Sequence, residues 1–352
     1  MTHQVPEIIT HLRSVFTKKK KKKKKSETCL EKIRKMSRPI TGGLAFLGLI
    51  LMSLTGQCFG ALQMGFYKGK CNSADVEEIV FRVVKARFLK DRSIAAALIR
   101  MHFHDCFVRV NGSRSEKTSP PNGSVRGYEV IDAAKAAIEK VCPRVVSCAD
   151  IITIAARAAV FLGGGKWYEV PTGRRDGRIS LASDVDLPSP SLTVTGTIQA
   201  FARKGLDVED MVLLLGGHTV GVTHCLFVQN RLYNFQNTGK QDRTMNPTFA
   251  QLLKRRCPRN SNGGTPIPLN ANTKNINQMD NSFYRQILGG RGVLQIDQEI
   301  ALDSRTRGMV KKLAANNQDF NIKFGKAMVR MGAIEVLTGT KGEIRRSCRA
   351  IN

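Results

Sequence analysis

At 352 residues, with 42% hydrophobic and 24% charged side chains, the chain can form one large or two ordinary domains and is not disordered in composition. Its 56 Lys+Arg against 28 Asp+Glu give +28; residues 1–60 hold 13 basic and 3 acidic side chains, which leaves +18 on 61–352. The folded part is therefore basic in its own right, which points to an acidic polymer or surface as a neighbour.

The first element in the chain is an unbroken run from Lys18 to Lys25. Such a run repels itself and reads as a solvated tail, with nuclear targeting or nucleic-acid binding as the competing reading. At Met36 a second pattern starts: Arg38, the apolar stretch Leu44 to Leu54, then Cys58-Phe-Gly60. That order predicts a secretory signal peptide over 36–60, whose apolar stretch is too short to span a bilayer core of about 30 Å as a permanent anchor. On this reading residues 1–35 are a disordered basic leader or the product of a misplaced start codon, and the domain covers 61–352. Nine cysteines fit export; seven of them, an odd number, follow the leader. Export, and a single Trp with no basic motif interleaved with aromatics, argue against nucleic acid as partner.

Beyond residue 72 the signals are helical. Val76, Ile79, Val80 and Val83 share one face behind Asn72-Ser73. Ser93 opens a segment through His104; Tyr128 to Val141 repeats the period; Ser147-Cys-Ala-Asp150 has capping-box spacing before Ile151. Gly163-Gly-Gly165 reads as a helix stop, since no lysine-bearing helix start follows to make a phosphate cradle. Asp207-Val-Glu-Asp210 opens Met211-Val-Leu-Leu-Leu, Asn246-Pro247 starts another helix, and two more fill 305–332. Strand signals are sparse and repeats absent. The expected fold is mainly α, in two lobes that can hold a cofactor between them.

On a helix over 93–107, Arg100, Phe103 and His104 share a face and His102 points elsewhere, which removes a simple His-x-His metal pair. A fixed positive charge and a near-neutral base aimed at one volume can accept a proton and stabilise a departing anion. The bland reading is a buried histidine satisfied by a carbonyl beside a snorkelling arginine. His218 closes the most apolar predicted helix, Met211-Val-Leu-Leu-Leu-Gly-Gly-His-Thr-Val-Gly221, where glycines permit close approach of a bulky planar group; its pattern fits a buried structural histidine or a metal ligand equally.

The segments Arg100-Met-His-Phe-His-Asp-Cys-Phe-Val108, Val145-Val-Ser-Cys-Ala-Asp-Ile151, Gly173-Arg-Arg-Asp-Gly177, Asp186-Leu-Pro-Ser-Pro190, Gly217-His-Thr-Val-Gly221, Asp280-Asn-Ser-Phe-Tyr284 and Leu294-Gln-Ile-Asp-Gln-Glu299 resemble secretory class III plant haem peroxidases. The likeness runs in order from about Leu62 to Asn352. It implies haem b between distal and proximal helical lobes, His218 as iron ligand with Asp297 accepting its other ring proton, and Phe103 packed over the haem edge. It implies His104 and Arg100 as the pair that cleaves hydrogen peroxide, with Asn122 and Glu116 supporting His104. Small phenols would give electrons one at a time near Pro188. Cys71 would pair with Cys142, Cys148 with Cys348 and Cys225 with Cys257, leaving Cys106 over. Calcium would be held distally by Asp105 and Val108 and proximally by Thr219, Asn270, Thr273 and Asp280. A secreted monomer is expected.

The sequence departs from that pattern in two places. The family's Gly-Cys-Asp-x-Ser segment, which bonds the cysteine of His-Asp-Cys and supplies distal calcium ligands, is absent between Val108 and Glu116. A calcium ion takes six to eight oxygens, so the distal site is in doubt and a bridge typically worth about 2–5 kcal/mol is lost. On the proximal side Asn270 replaces a usual aspartate, which weakens the site. The competing readings are a catalytically impaired basic protein that binds anionic wall polymer, and a gene model lacking a coding block. Asn111 and Asn122 both head glycosylation sequons, of which Asn111 is the better candidate.

Overall fold

The computed structural model describes residues 62–107, 119–179, 185–271 and 276–352, which belong to one compact unit. The leader, the signal-peptide reading, Val108, Asn111, Glu116 and Thr273 lie outside the described residues.

Twelve α-helices carry the described fold. They are α1 (Val76–Lys90), α2 (Ile94–Cys106), α3 (Tyr128–Val141), α4 (Cys148–Leu162), α5 (Val194–Ala202), α6 (Val208–Leu215), α7 (Gln229–Tyr233), α8 (Pro247–Arg256), α9 (Ser282–Leu288), α10 (Gln295–Ile300), α11 (Arg307–Ala315) and α12 (Asn317–Met331). A two-stranded antiparallel sheet, β1 (Val222–His224) against β2 (Pro266–Pro268), pairs Thr223 with Ile267. The fold is mainly α, as the periodicity predicted.

Local signals explain several helix ends. Asp75, not Asn72-Ser73, caps α1 by accepting from the amides of Glu77 and Glu78. In α6 the expected capping box forms, with Asp207 and Asp210 bonding reciprocally to each other's backbone amide. In α8, Asn246 accepts from Phe249 N behind Pro247 in the first turn. The box predicted at Ser147 is half-built. Ser147 caps Asp150 N, but the Asp150 carboxylate turns away to accept from Tyr67 Oη (2.6 Å), Gly173 N (2.7 Å) and Arg174 Nη1 (2.8 Å). A buried guanidinium outbids the local amide, because leaving it unpaired inside the protein costs far more than an uncapped turn.

A large apolar core joins α1–α4 with α6, α9, α11 and α12. A second, smaller core packs Val228, Leu232, Phe249, Leu253 and Ile267 around the Cys225–Cys257 disulfide. The other bridges are Cys71–Cys142 and Cys148–Cys348, the latter tying the C-terminal segment to the start of α4 across 200 residues. Cys106 is the free cysteine among the described residues, half-buried with Sγ 3.7 Å from His102 Nδ1.

Candidate active site

Helix α2 supplies one wall of the site. Its buried positions face α4, while Arg100 and His104, one turn apart, meet each other: Arg100 Nε donates to His104 Nε2 at 3.1 Å. A guanidinium can only donate, so Nε2 carries the lone pair and the ring proton sits on Nδ1. That proton requires an acceptor, and Asn122 Oδ1 stands 2.5 Å away. Asn122 belongs to a short 3₁₀ turn, Pro120–Asn122, that ends beside α2. The same segment holds the guanidinium: Arg100 Nη2 donates to Pro121 O at 3.0 Å and Nη1 to Ser124 Oγ at 3.1 Å. Two neighbours therefore fix both the position and the tautomer of one imidazole.

Burial, with a contribution from the Arg100 charge, holds His104 down at about 4 although the Asn122 bond pulls upward. At neutral pH the ring is thus an uncharged base. His102 lies on the other side of α2, fully buried and lowered to about 3 by burial and the Arg174 charge. It belongs to the packing behind the site.

The opposite wall comes from the end of α6. The helix stops at Leu215, and His218 sits in a 3₁₀ turn, Gly216–Thr219, not on a continuing helix. Glycine is required at 216, because a Cβ there would overlap Tyr284 and Phe320. Close packing of the turn sets where His218 points. Its Nδ1 meets Asp297 Oδ1 at 2.8 Å, and Asp297 is fully buried at the start of α10, its other oxygen accepting from Leu294 N at 3.4 Å. Burial pushes the imidazole down, but the Asp297 charge and hydrogen bond outweigh it and the ring ends above its ordinary value. Nε2 has no hydrogen-bond partner among the described residues, and 30% of the side-chain surface remains open. The Arg100 charge reaches His218, and the glycines on either side of His218 approach α2, Gly217 at Ile99 and Gly221 at Ala96. The Arg100 charge that holds His104 thus also acts on His218.

A segment between the walls completes the site. Asp186 N donates to Phe107 O at the end of α2, and Pro190 O accepts from Ile296 N at the start of α10. Half-buried Pro188 is thereby strung from one wall to the other. Phe103 is half-buried and packs on Phe107 with ring centres 4.5 Å apart.

The donor set fits a haem. One imidazole, held by a carboxylate through Nδ1 and with Nε2 unbonded among the described residues, is the ligand pattern of a haem iron. Among the described residues no three His, Cys, Asp or Glu side chains converge on a point. The calcium ligands fare differently. Asp105 is exposed at the end of α2, and Val108, its expected co-ligand, lies outside the described residues. On the proximal side Thr219, Asn270 and Asp280 do converge. Thr219 Oγ1 donates to Asp280 Oδ1 at 3.0 Å, while the Asn270 amide donates to Thr219 O, Thr219 Oγ1 and Ser282 Oγ. The amide hydrogens thus point at oxygens a cation would use.

Ser124 and Pro121, which hold the guanidinium, were not singled out from sequence; only the short Pro-Asn-Gly-Ser string marked them. Arg174, which reaches Asp150 and Gly332 O behind His102, was visible only as part of a motif.

A peroxidase family model matches residues 80–316. Peroxidase 60 of Arabidopsis thaliana is 52% identical over 86% of this chain and 94% of its own length. Peroxidase 57 of the same plant is 45% identical, covering 86% and 97%, and peroxidase 5 of Vitis vinifera is 45% identical, covering 86% and 95%. With the matched span carrying both histidine walls, the chain belongs to the peroxidase family and is a haem-dependent peroxidase.

Proposed function

We propose that haem b lies between the His104 and His218 walls and that the protein reduces hydrogen peroxide at the expense of small phenols. The observations that carry this reading are a neutral, tautomer-locked His104 bonded to Arg100 and a His218 whose Nδ1 is backed by a buried carboxylate.

Each residue has a stated part. His218 Nε2 is the iron ligand, and Asp297 increases its electron donation by taking up Nδ1–H. When bound, the haem supplies the electrons that reduce the O–O bond. His104 Nε2 takes a proton from peroxide and returns it to the oxygen that leaves as water. Arg100 lies against that nitrogen, so its charge meets the developing anion as the bond breaks. Asn122 keeps the proton on Nδ1 and the lone pair on Nε2. Phenols would approach beside Pro188 and Phe103 and give up one electron each, two per turnover.

The protein is read as an exported monomer. Three disulfides suit an oxidising compartment, and no helix among the described residues is long and apolar enough to cross a membrane. Its excess charge suits an acidic wall polysaccharide. Calcium at Thr219, Asn270, Thr273 and Asp280 is held weakly, because a cation there must turn the Asn270 amide and displace its donated bonds. Distal calcium at Asp105 and Val108 is not proposed.

The test is reconstitution with haem. The loaded protein should show a Soret band and oxidise guaiacol with peroxide, and His104→Ala should keep the Soret band while losing roughly 10²- to 10⁴-fold in rate. A loaded protein indifferent to the loss of His104 would overturn the assignment.

A further inference from the structure

The smaller core organises a lobe whose charge is unlike the rest of the fold. Residues 225–271 contain seven Lys or Arg and a single acidic side chain, Asp242. That acid is already consumed: Arg231 Nε and Nη2 both donate to Asp242 Oδ2, at 2.9 and 2.8 Å, and both residues are buried. Six cations remain, Lys240, Arg243, Lys254, Arg255, Arg256 and Arg259, and none has an ion-pair partner among the described residues. All are exposed except Lys254, which is half-buried.

Structure accounts for part of this. Lys254, Arg255 and Arg256 occupy the last turn of α8, where the helix dipole favours cations. One cation there satisfies the dipole, however, and it does not call for Arg243, Lys240 or Arg259. Lys254 Nζ lies 5.7 Å and Arg259 Cζ 4.9 Å from the centre of the Tyr233 ring, so two charges flank one half-buried aromatic face. The Tyr233 hydroxyl donates to Cys257 O at 2.8 Å, which locks the ring to the disulfide end of α8. The platform is therefore rigid, although uncompensated like charges within about 8 Å of one another repel at physiological salt.

We propose that this lobe is a docking surface for a carboxylate-bearing polysaccharide, with Lys254, Arg255, Arg256 and Arg259 as its charged contacts and Tyr233 as the face on which a sugar ring rests. Guanidinium groups fit carboxylates in a fork, and a row of them suits a polymer that repeats its carboxylate. A single-stranded nucleic acid would want several stacking aromatics along the groove, and the lobe offers one ring beside these cations. The inference rests on the acidic-polymer reading above and gives it a location away from the peroxide site.

The test uses the full-length, haem-loaded protein on immobilised polygalacturonate with sodium chloride elution. Two quadruple variants carry equal charge change: Lys254→Gln, Arg255→Gln, Arg256→Gln, Arg259→Gln in the lobe, and Lys85→Gln, Lys90→Gln, Lys311→Gln, Lys312→Gln on other exposed helix faces. Loss of the lobe cations should weaken affinity roughly tenfold or more and flatten its salt dependence, with guaiacol turnover in solution unchanged, while the control loses less than about threefold. Equal losses in both variants would overturn the lobe assignment and leave diffuse charge as the cause. Failure of the wild type to bind at all would sink the acidic-polymer reading as well. Tighter retention on single-stranded DNA than on polygalacturonate would overturn the choice of polymer.

Discussion

Replacing Asn122 by alanine removes the acceptor that stands 2.5 Å from His104 Nδ1. Both residues are buried, so water does not readily take its place, and the stranded Nδ1–H costs about 1–3 kcal/mol. Part of that cost falls on the step in which the ring becomes a cation, because that is when Nδ1–H most needs an acceptor. The Asn122 bond also raises the basicity of His104 against burial, so the variant imidazole should titrate below about 4. A weaker base takes the peroxide proton less readily. Together the effects should slow the reaction with peroxide by roughly 10- to 150-fold, each tenfold being about 1.4 kcal/mol of barrier. Stopped-flow mixing of the haem-loaded variant with peroxide, followed at the Soret band from pH 3 to 8, measures this. Two changes are expected: a lower plateau, and an acid limb displaced to lower pH, since a depressed basicity requires more acid to protonate the ring. A plateau within twofold of wild type, or an acid limb displaced upward with the folded state intact, would refute the reasoning.

His102 and His104 are buried neutral with values of about 3 and 4, below the unfolded value near 6.5, so the stability they contribute is present above pH 6.5 and lost as pH falls through that window. His102 accounts for on the order of 4 kcal/mol of this, and His102→Gln should flatten melting temperature against pH between 6.5 and 4; an unchanged slope counts against it. Asp150→Ala strands Arg174, Tyr67 and Gly173 N and should cost about 3–5 kcal/mol in urea unfolding; a loss under about 1 kcal/mol would mean the network relaxes. Burial, and then the Asp105 charge, push the thiol of half-buried Cys106 well above its ordinary value, so iodoacetamide at pH 8 should label it far more slowly in the folded protein than after unfolding; prompt stoichiometric labelling of the folded protein would contradict that. Asn270→Asp removes the competing amide and adds a charge, so calorimetry should show tighter calcium binding than in wild type; equal affinity would show that the amide does not compete.

Periodicity made the helices legible because it is a local property: the Arg100 and His104 pairing, the Asp207 box and the Asn246 cap all lie within one or two turns. What it did not reveal are partners chosen across the fold. His218 and Asp297 are 79 residues apart, Tyr67 and Asp150 83, and nothing in the spacing of either pair announces the other. Resemblance supplied the first pair; nothing supplied the second, and its existence is why the box at Ser147 is only half-built. The end of α6 was misread for a related reason. Gly216-Gly217 signals close packing, but whether a helix continues through it depends on Tyr284 and Phe320, residues that arrive from α9 and α12. In each case the local signal was correct about what the backbone can do, and a long-range contact decided which option it took. The same logic bears on Cys106. The sequence shows that its bridge partner is missing, yet Arg100, His104 and Asn122 still meet in hydrogen-bonding register. Their geometry is set by α2 packing on α4 and by the 120–124 segment gripping Arg100 through Pro121 and Ser124, so a disulfide at Cys106, two residues beyond His104, is not what positions the base.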